Sequence, residues 1–159
     1  MTVQNLESTQ TNLTTAEVEE YISNASHADV IETVISSLDS DNTAMVNHSE
    51  EGSTWKFTYG SVEVFIQITG ETDDDFLTVW ASVLKLPATD EAGLMRKLLE
   101  MNWGDTFETR FAILNDEVFV LSQRTVADLS PVEISRTITL VATIADDNDE
   151  ALKEAFGGS

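Results

Sequence analysis

The sequence has no cysteine, and it has only two prolines and two histidines among its 159 residues. Without cysteine the chain can form no disulfide, no thiol nucleophile and none of the thiolate sites that hold structural zinc or iron–sulfur clusters. The histidines, His27 and His48, lie in unrelated segments, so we expect each to be a surface or packing residue. An apolar run of about 18 residues is also missing, and we therefore expect no membrane insertion.

Basic residues are scarce as well. The chain has 8 lysines and arginines against 29 aspartates and glutamates, which gives a net charge of −21. A surface that neutralises phosphates needs clustered basic side chains, so this balance argues against nucleic acid as a partner. The N-terminal residues have no basic start and no apolar stretch, so we expect no signal peptide and a cytoplasmic protein.

Length and composition predict one globular domain. With 159 residues, 42% of them apolar, the chain can build a core without metals or disulfides. Ser, Thr, Gln and Asn are frequent at the start, which predicts a flexible polar tail over residues 1–12. We expect a single domain over residues 13–156 and a flexible end over residues 157–159.

The hydrophobic periodicity changes several times along the chain, which indicates an α+β fold. Helical spacing follows a capping box at Thr14–Glu17 and runs to Leu38, and it returns at residues 89–101 and after Ser130-Pro131. A period of two marks the strands between these helices. The predicted order is α-β-β-β-α-β-β-α, with a largely antiparallel sheet of about five strands. Ala44–Ser49 is a candidate for a further short strand.

The strand predicted at residues 76–86 is apolar on both faces, because side chains alternate along a strand. One face carries Leu77, Val79, Ala81 and Val83, and the other carries Phe76, Trp80, Leu84 and Leu86. A sheet with one solvated face would show only one apolar side, so the second face is expected to meet a helix, a second subunit or a bound partner. Aromatic residues commonly anchor partner surfaces, and the predicted partner-binding residues are Phe65, Phe76, Trp80 and Leu84. Burial of both faces within one subunit is the alternative.

Trp103 closes the second predicted helix. The sequence Asn102-Trp103-Gly104 predicts a helix end with Gly104 as its cap. We expect the indole to lock this helix onto the sheet rather than to bind a partner.

Three acidic segments are candidates for cation binding. Asp39 and Glu50 have the spacing of calcium-loop ligands, but Ala44 stands where the sharp turn requires glycine. Asp73–Asp75 and Asp146–Glu150 are runs of mutually repelling carboxylates, and a solvated acidic surface explains them better. The second run is also expected either to interrupt the last helix or to begin a short one. An acidic regulatory module that binds a divalent cation is the alternative function, and no metal ligand is assigned.

A catalytic set is not indicated by the sequence. No nucleophile, base and metal motif converges, and a glycine-rich phosphate loop is missing. We therefore assign no catalytic residue and no cofactor, and we expect a protein that is not an enzyme.

Four short motifs in a fixed order resemble the YbjN family, whose fold is like that of type III secretion chaperones. A strand ends in Leu86-Pro87, a helix ends in Asn102-Trp103, a strand carries Arg110-Phe111, and Leu129–Glu133 opens the last helix. The order and spacing of these motifs carry the resemblance, which covers residues 43–145.

The resemblance implies a secretion-chaperone-like domain that acts as a chaperone, adaptor or assembly factor without enzymatic activity. Chaperones of this fold are small, acidic and usually dimeric, and they hold a client segment extended against apolar surface. The expected partners are therefore a second copy, in a homodimer, and a segment of a client protein. Acidic residues around the contact residues would select basic clients. A cyanobacterial origin would favour a client from a large photosynthetic or carbon-fixing assembly.

Overall fold

The structure is a computed structural model that describes residues 14–16 and 26–158. Three helices have both bounds within those residues, α1 (His27–Leu38), α2 (Glu91–Gly104) and α3 (Pro131–Phe156). The strands are β1 (Met45–Ser49), β2 (Gly52–Tyr59), β3 (Val62–Ile68), β4 (Phe76–Lys85), β5 (Arg110–Leu114) and β6 (Glu117–Thr125). The predicted tail at residues 1–12 and residues 17–25 of the first predicted helix lie outside the described residues.

The strands form one six-stranded sheet in the order β1-β2-β3-β4-β6-β5, and every neighbouring pair is antiparallel. This confirms the predicted α+β fold with its largely antiparallel sheet, and the candidate first strand is present as β1. A two-residue turn joins β5 to β6. Its residues, Asn115 and Asp116, have φ of 50° and 60°, which is the backbone that tight hairpins require.

The three described helices pack on one face of the sheet, which we call the inner face. α3 lies on β4 with β3 and β6 beside it, and α1 packs against α3. α1 also reaches β2, where the indole nitrogen of Trp55 donates to Glu32 at 3.2 Å. α2 lies beside α3, since Lys97 Nζ is 5.9 Å from the ring centroid of Phe156. The opposite side of the sheet, the outer face, has no helix over it within the described residues.

The core fills the space between the inner face and these helices. In β3 every second residue is buried, as expected for a strand with one face on the core. From α3, the side chains of Ile134, Ile138 and Val141 are fully buried against the sheet. Burial of a side chain of this size contributes about 1.5–3 kcal/mol each. The fully buried apolar side chains of the described residues therefore lie between the inner face and the helices.

The longest helix, α3, begins at the predicted signal. Ser130 caps it by accepting a hydrogen bond from the Glu133 amide at 3.2 Å, and Pro131 stands in its first turn. The expectation that Asp146–Glu150 interrupts this helix or starts a new one is wrong, because α3 runs unbroken to Phe156. Within the described residues, no helix is both long enough and apolar enough to cross a lipid bilayer.

α3 continues through the acidic run because two of its aspartates have hydrogen-bond or ion-pair partners. Asp146 accepts hydrogen bonds from the amide and hydroxyl of Ser61 at 2.9 and 3.0 Å. Asp149 is fully buried, accepts from the same hydroxyl and lies 3.3 Å from Lys153 Nζ. These aspartates fasten the β2–β3 turn to the helix. Gly60 in that turn has no room for a side chain, because an added Cβ would lie 2.2 Å from Asp146 Oδ1.

The end of α2 is fixed to β5 by Asn102 and not by its neighbour Trp103. The Asn102 side chain accepts from the Phe111 amide at 2.7 Å and donates to the Phe111 carbonyl at 3.2 Å. The prediction that Trp103 locks the helix to the sheet is wrong, since this residue is 94% exposed. Successive helix residues point about 100° apart, so a helix that turns Asn102 toward the sheet turns Trp103 away from Phe111. The cap is Asp105, one residue after the predicted Gly104.

Candidate partner-binding face

A row of side chains crosses the outer face from β2 to β5. The register pairs Lys56 with Phe65, Phe65 with Trp80, Trp80 with Leu121 and Leu121 with Arg110. Paired residues on neighbouring strands share a face, so three apolar side chains stand together in the middle of this row. A basic residue stands at each end of them.

Two of the predicted contact residues, Phe65 and Trp80, stack on one another in this row. Their ring centroids are 5.4 Å apart and their planes differ by 10°. Both side chains are partly buried, and stacking of this kind contributes about 0.5–1.5 kcal/mol beyond the burial itself. The pair forms an aromatic platform at the centre of a sheet face that no described helix covers.

A shallow depression of about 290 Å³ adjoins the platform. It is lined by Trp80, Ala112, Leu114, Phe119 and Leu121, with Gln67, Thr78 and Gln123 as its polar groups. The Gln123 side chain donates to the hydroxyl of Thr78 at 3.2 Å, and Leu114 is 64% exposed. The apolar surface thus continues from the platform over β6 to the edge strand β5.

Sequence reasoning missed Phe119, Leu121 and Leu114 as members of this surface. The available signal was the alternation in β6. Val118 and Val120 are fully buried, and the residues that alternate with them, Phe119 and Leu121, face outward. A strand with apolar residues on both faces therefore occurs twice, at β4 and β6, and these two strands are neighbours in the sheet.

The two remaining predicted contact residues, Phe76 and Leu84, lie on opposite faces of the sheet. Phe76 begins β4 on the outer face, since it alternates with the buried Leu77, and it is 42% exposed. Leu84 is 3% exposed and belongs to the core, so its predicted place on the second apolar face is wrong. The register moves from Ser82–Phe119 to Leu84–Val118, which makes Val83 the extra residue of a β-bulge. A bulge reverses the alternation after it, and Leu84 therefore points to the inner face with Val118.

The outer face is almost neutral, in contrast to the chain as a whole. Its charged side chains are Lys56, Lys85, Arg110, Glu63 and Glu117, a balance of 3 − 2 = +1. Lys56 Nζ lies 3.4 Å from Glu63, and the Ser82 hydroxyl donates to Glu117 at 2.6 Å. The expected acidic surroundings of the contact residues are therefore not found on this face, because nearly all other carboxylates lie in loops and helices.

The loop between β3 and β4 is one such acidic segment. Asp75 closes it by accepting hydrogen bonds from the hydroxyl and the amide of Thr72, at 2.7 and 2.9 Å, and from the Thr69 hydroxyl at 2.9 Å. These hydrogen bonds stabilise the carboxylate and hold the pKa of Asp75 below its ordinary value of 3.8. Asp73 and Asp74 are exposed beside it.

The structure does not bring the candidate residues Asp39 and Glu50 together as a calcium loop. Asp39 is engaged by the Thr43 hydroxyl and the Ala44 amide, both at 2.8 Å. Glu50 lies past the other end of β1, and a strand of 5 residues spans about 16 Å. Among residues 14–16 and 26–158, no three acidic or histidine side chains are grouped so that they could hold a metal ion.

The sheet order, the one-sided helices and the uncovered face define a two-layer α+β domain with a secretion-chaperone-like fold. The chain belongs to the YbjN family, described as putative bacterial sensory transduction regulators, because the profile of that family matches residues 27–154. This confirms the family resemblance predicted from the four motifs, and it extends the matched region to α1 and nearly all of α3.

Two solved structures share the fold. A chain of the crystal structure of the ExsC–ExsE complex is 17% identical with a TM-score of 0.55, and the match covers 77% of this chain and 90% of that one. A chain of the HopA1–SchA chaperone–effector complex is 9% identical with a TM-score of 0.51, and the match covers 76% and 91%. At these identities the likeness shows the fold alone. No curated protein matches the chain.

Proposed function

We propose that this protein is a non-enzymatic chaperone, adaptor or assembly factor that holds a segment of a client protein on its outer face. One observation carries the proposal. Phe65, Trp80 and Leu121 form an apolar row on a face that no described helix covers, and Phe119 and Leu114 extend it. Exposed apolar patches of this kind mark surfaces for partners, because a solvated sheet face normally carries polar residues.

A polypeptide segment suits this face better than a small ligand. Small-molecule sites enclose most of their ligand in a cleft, whereas the depression beside Trp80 is shallow and open. A segment laid on the sheet can place apolar side chains on the platform and in the depression. The polar groups of Gln67, Thr78 and Gln123 then offer hydrogen bonds to its backbone or side chains.

Electrostatics supports a client that is basic as a whole and apolar where it docks. The balance of +1 on the outer face gives little reason for a highly charged segment to bind there. The net charge of −21 creates a long-range field that accelerates encounter with basic proteins. We expect salt to slow client association while it changes dissociation little.

The proposal includes a homodimer in the cytoplasm, as the family resemblance implies. The HopA1–SchA complex, which has this fold, joins a chaperone to an effector, and that supports a client-holding role here. The identity of the client is left to experiment, and a cyanobacterial origin would still favour a component of a photosynthetic or carbon-fixing assembly.

Affinity capture from native lysate tests the proposal when it is run with two matched variants. Trp80→Ala removes the indole of the outer face, and Trp103→Ala removes an exposed indole on the helical side. We expect a stoichiometric client with the wild type and with Trp103→Ala, and its loss with Trp80→Ala, because each chain carries its own outer face. Overlapping peptides of the captured protein then locate the bound segment by calorimetry.

A client that Trp80→Ala retains at the wild-type level would contradict the assignment of the outer face. Circular dichroism of each variant shows whether the fold is intact, so that loss of binding is separated from unfolding.

A further inference from the structure

A second apolar surface lies on the helical side of the molecule. It consists of Leu99, Trp103, Phe107 and Val132, which are 71%, 94%, 73% and 76% exposed. We call these four residues the Trp103 patch. Leu99 and Trp103 are four residues apart in α2 and therefore stand on the same side of that helix. The function proposed for the outer face does not account for these residues, because they lie on the other side of the sheet.

The loop after α2 brings one member of the patch, Phe107, against α3. Phe107 in the loop after α2 lies 5.9 Å from the guanidinium of Arg136 on α3, measured to its ring centroid. The adjacent Glu108 binds the same guanidinium with two hydrogen bonds, one of them 3.0 Å from Arg136 Nη2 to Oε2. The loop is thereby held against the first turns of α3.

A wide, mainly apolar depression of about 610 Å³ opens on α3 beside this loop. Its lining residues are Pro131, Val132, Ser135, Arg136, Thr139 and Leu140. We call it the α3 depression. One surface therefore presents both an exposed indole, from Trp103, and an open apolar hollow along α3, a combination that allows a surface to match a copy of itself.

Charge identifies the kind of partner that this surface accepts. Two ion pairs are found among the charged side chains of α2, the loop after it and the start of α3: Arg96 with Glu100 at 2.8 Å, and Arg136 with Glu108. These four charges cancel, 2 − 2 = 0, within a chain whose total is −21. Two copies of such an acidic chain repel one another wherever carboxylates face each other. The four residues of the Trp103 patch carry no charge themselves, so a second copy meets little repulsion there and a basic client gains no ion pair from them.

We infer that a second copy of this chain covers the Trp103 patch, with the indole of each copy seated in the α3 depression of the other. The inference rests on the homodimer in the proposed function and names its interface. The contact is isologous, so Trp103 of each copy meets Val132 and Leu140 of its partner.

The size of the patch agrees with a stable dimer. A buried aromatic side chain removes about 150–250 Å² from water. Trp103 and Phe107 from both copies supply four such side chains, or about 600–1,000 Å². Leu99, Val132 and the lining of the two depressions add to this area. A stable interface buries about 1,200–2,000 Å² in total, and the patch reaches that range with its surroundings.

Sedimentation velocity on the full chain tests the inference, with two patch variants and two controls. Trp103→Ala removes the indole, and Val132→Glu places a charge in the depression at a position that is 76% exposed. Phe76→Ala and Val46→Glu are the matched controls, because they make the same types of change on 42% and 49% exposed residues outside the patch. Melting curves confirm that each variant is folded.

We expect the wild type and both controls to sediment as dimers, with twice the monomer mass of 17.5 kDa. Each patch variant should raise the dimer dissociation constant at least about 30-fold, as truncation of a central interface Trp does. More salt should tighten the wild-type dimer by screening repulsion, whereas it should weaken binding of a basic client.

The other outcomes overturn the inference in distinguishable ways. A monomeric wild type removes both the interface and the homodimer, while leaving client capture by the outer face to stand. A dimer that survives both patch variants keeps the homodimer and removes this interface. Dissociation by Trp103→Ala but not by Val132→Glu shows that the indole packs outside the α3 depression, and dissociation by Phe76→Ala moves the interface to the outer face.

Discussion

Phe65 and Trp80 face one another across β3 and β4, with their ring centroids 5.4 Å apart, on the side of the sheet opposite to the core. A pair that only stabilised the fold would be expected under a helix, where burial is complete. Here the pair is partly buried and no described helix covers it, so its rings can serve both the sheet and a partner.

A double-mutant cycle measures how much this pair contributes to the fold. Phe65→Ala, Trp80→Ala and the double variant should show a coupling of about 0.5–1.5 kcal/mol in urea unfolding, the usual range for aromatic pairs. Each single variant should stay folded at 25 °C. A coupling near zero would mean that the rings do not stack in solution.

The effect of a Leu→Ala substitution on stability can be compared at a buried leucine, Leu84, and an exposed one, Leu114. Leu84→Ala should lower the free energy of unfolding by about 2–5 kcal/mol, because this side chain is 3% exposed and its loss leaves a cavity. Leu114→Ala removes a side chain that is 64% exposed and should cost less than about 0.5 kcal/mol. Equal losses in urea titrations would contradict the placement of Leu84 in the core.

Local patterns in the sequence were sufficient for the fold but not for the site. Periodicity and capping signals, such as Ser130-Pro131, depend on neighbouring residues, and they predicted the order of helices and strands. The bulge at Val83 is a backbone irregularity without a sequence signature, so the alternation placed Leu84 on the wrong face. The charge of the outer face follows from which strands pair, for example β4 with β6 across the intervening helix, and such long-range pairing cannot be deduced from the composition.

The motif Asn102-Trp103 illustrates the same point. The larger residue was expected to make the structural contact, yet Asn102 makes it by bonding both backbone groups of Phe111. The Asn102 side chain both accepts from a backbone amide and donates to a backbone carbonyl, whereas an indole can only donate. Trp103 is then left for the surface.

Removal of the Asn102 amide should weaken the attachment of α2 to β5. Asn102→Ala leaves the Phe111 amide without its partner, and we expect a loss of about 1–3 kcal/mol of stability. Hydrogen exchange at the Phe111 amide should become faster in the same variant. Unchanged stability together with unchanged exchange in Asn102→Ala would contradict this assignment.

Acid should destabilise the protein through Asp75. The pKa of this carboxyl lies below its ordinary value of 3.8 in the folded state, so its contribution is complete above that pH and is lost as the pH falls through the folded value. Thr72→Ala removes a hydroxyl that bonds the carboxylate, and the pKa of Asp75 should rise toward 3.8. Carboxyl titration by NMR measures both values. An unchanged pKa in Thr72→Ala would show that this hydroxyl does not stabilise the carboxylate.

Salt should raise the melting temperature of the free protein. With a net charge of −21, the folded chain repels itself, and ions screen that repulsion over about 8 Å at physiological ionic strength. Scanning calorimetry from low to physiological salt should show a continuous increase. A decrease would mean that ion pairs such as Lys56–Glu63 outweigh the repulsion.

The three tryptophans occupy three separate environments, and this makes the protein its own optical probe. Trp55 is 2% exposed in the core, Trp80 lies on the outer face and Trp103 is 94% exposed on the helical side. In a chain that keeps only one of them, the emission maximum and its quenching by acrylamide report one event alone. Trp55 reports unfolding, Trp80 the arrival of a client and Trp103 the meeting of two copies, so a single instrument can follow the order in which these events occur.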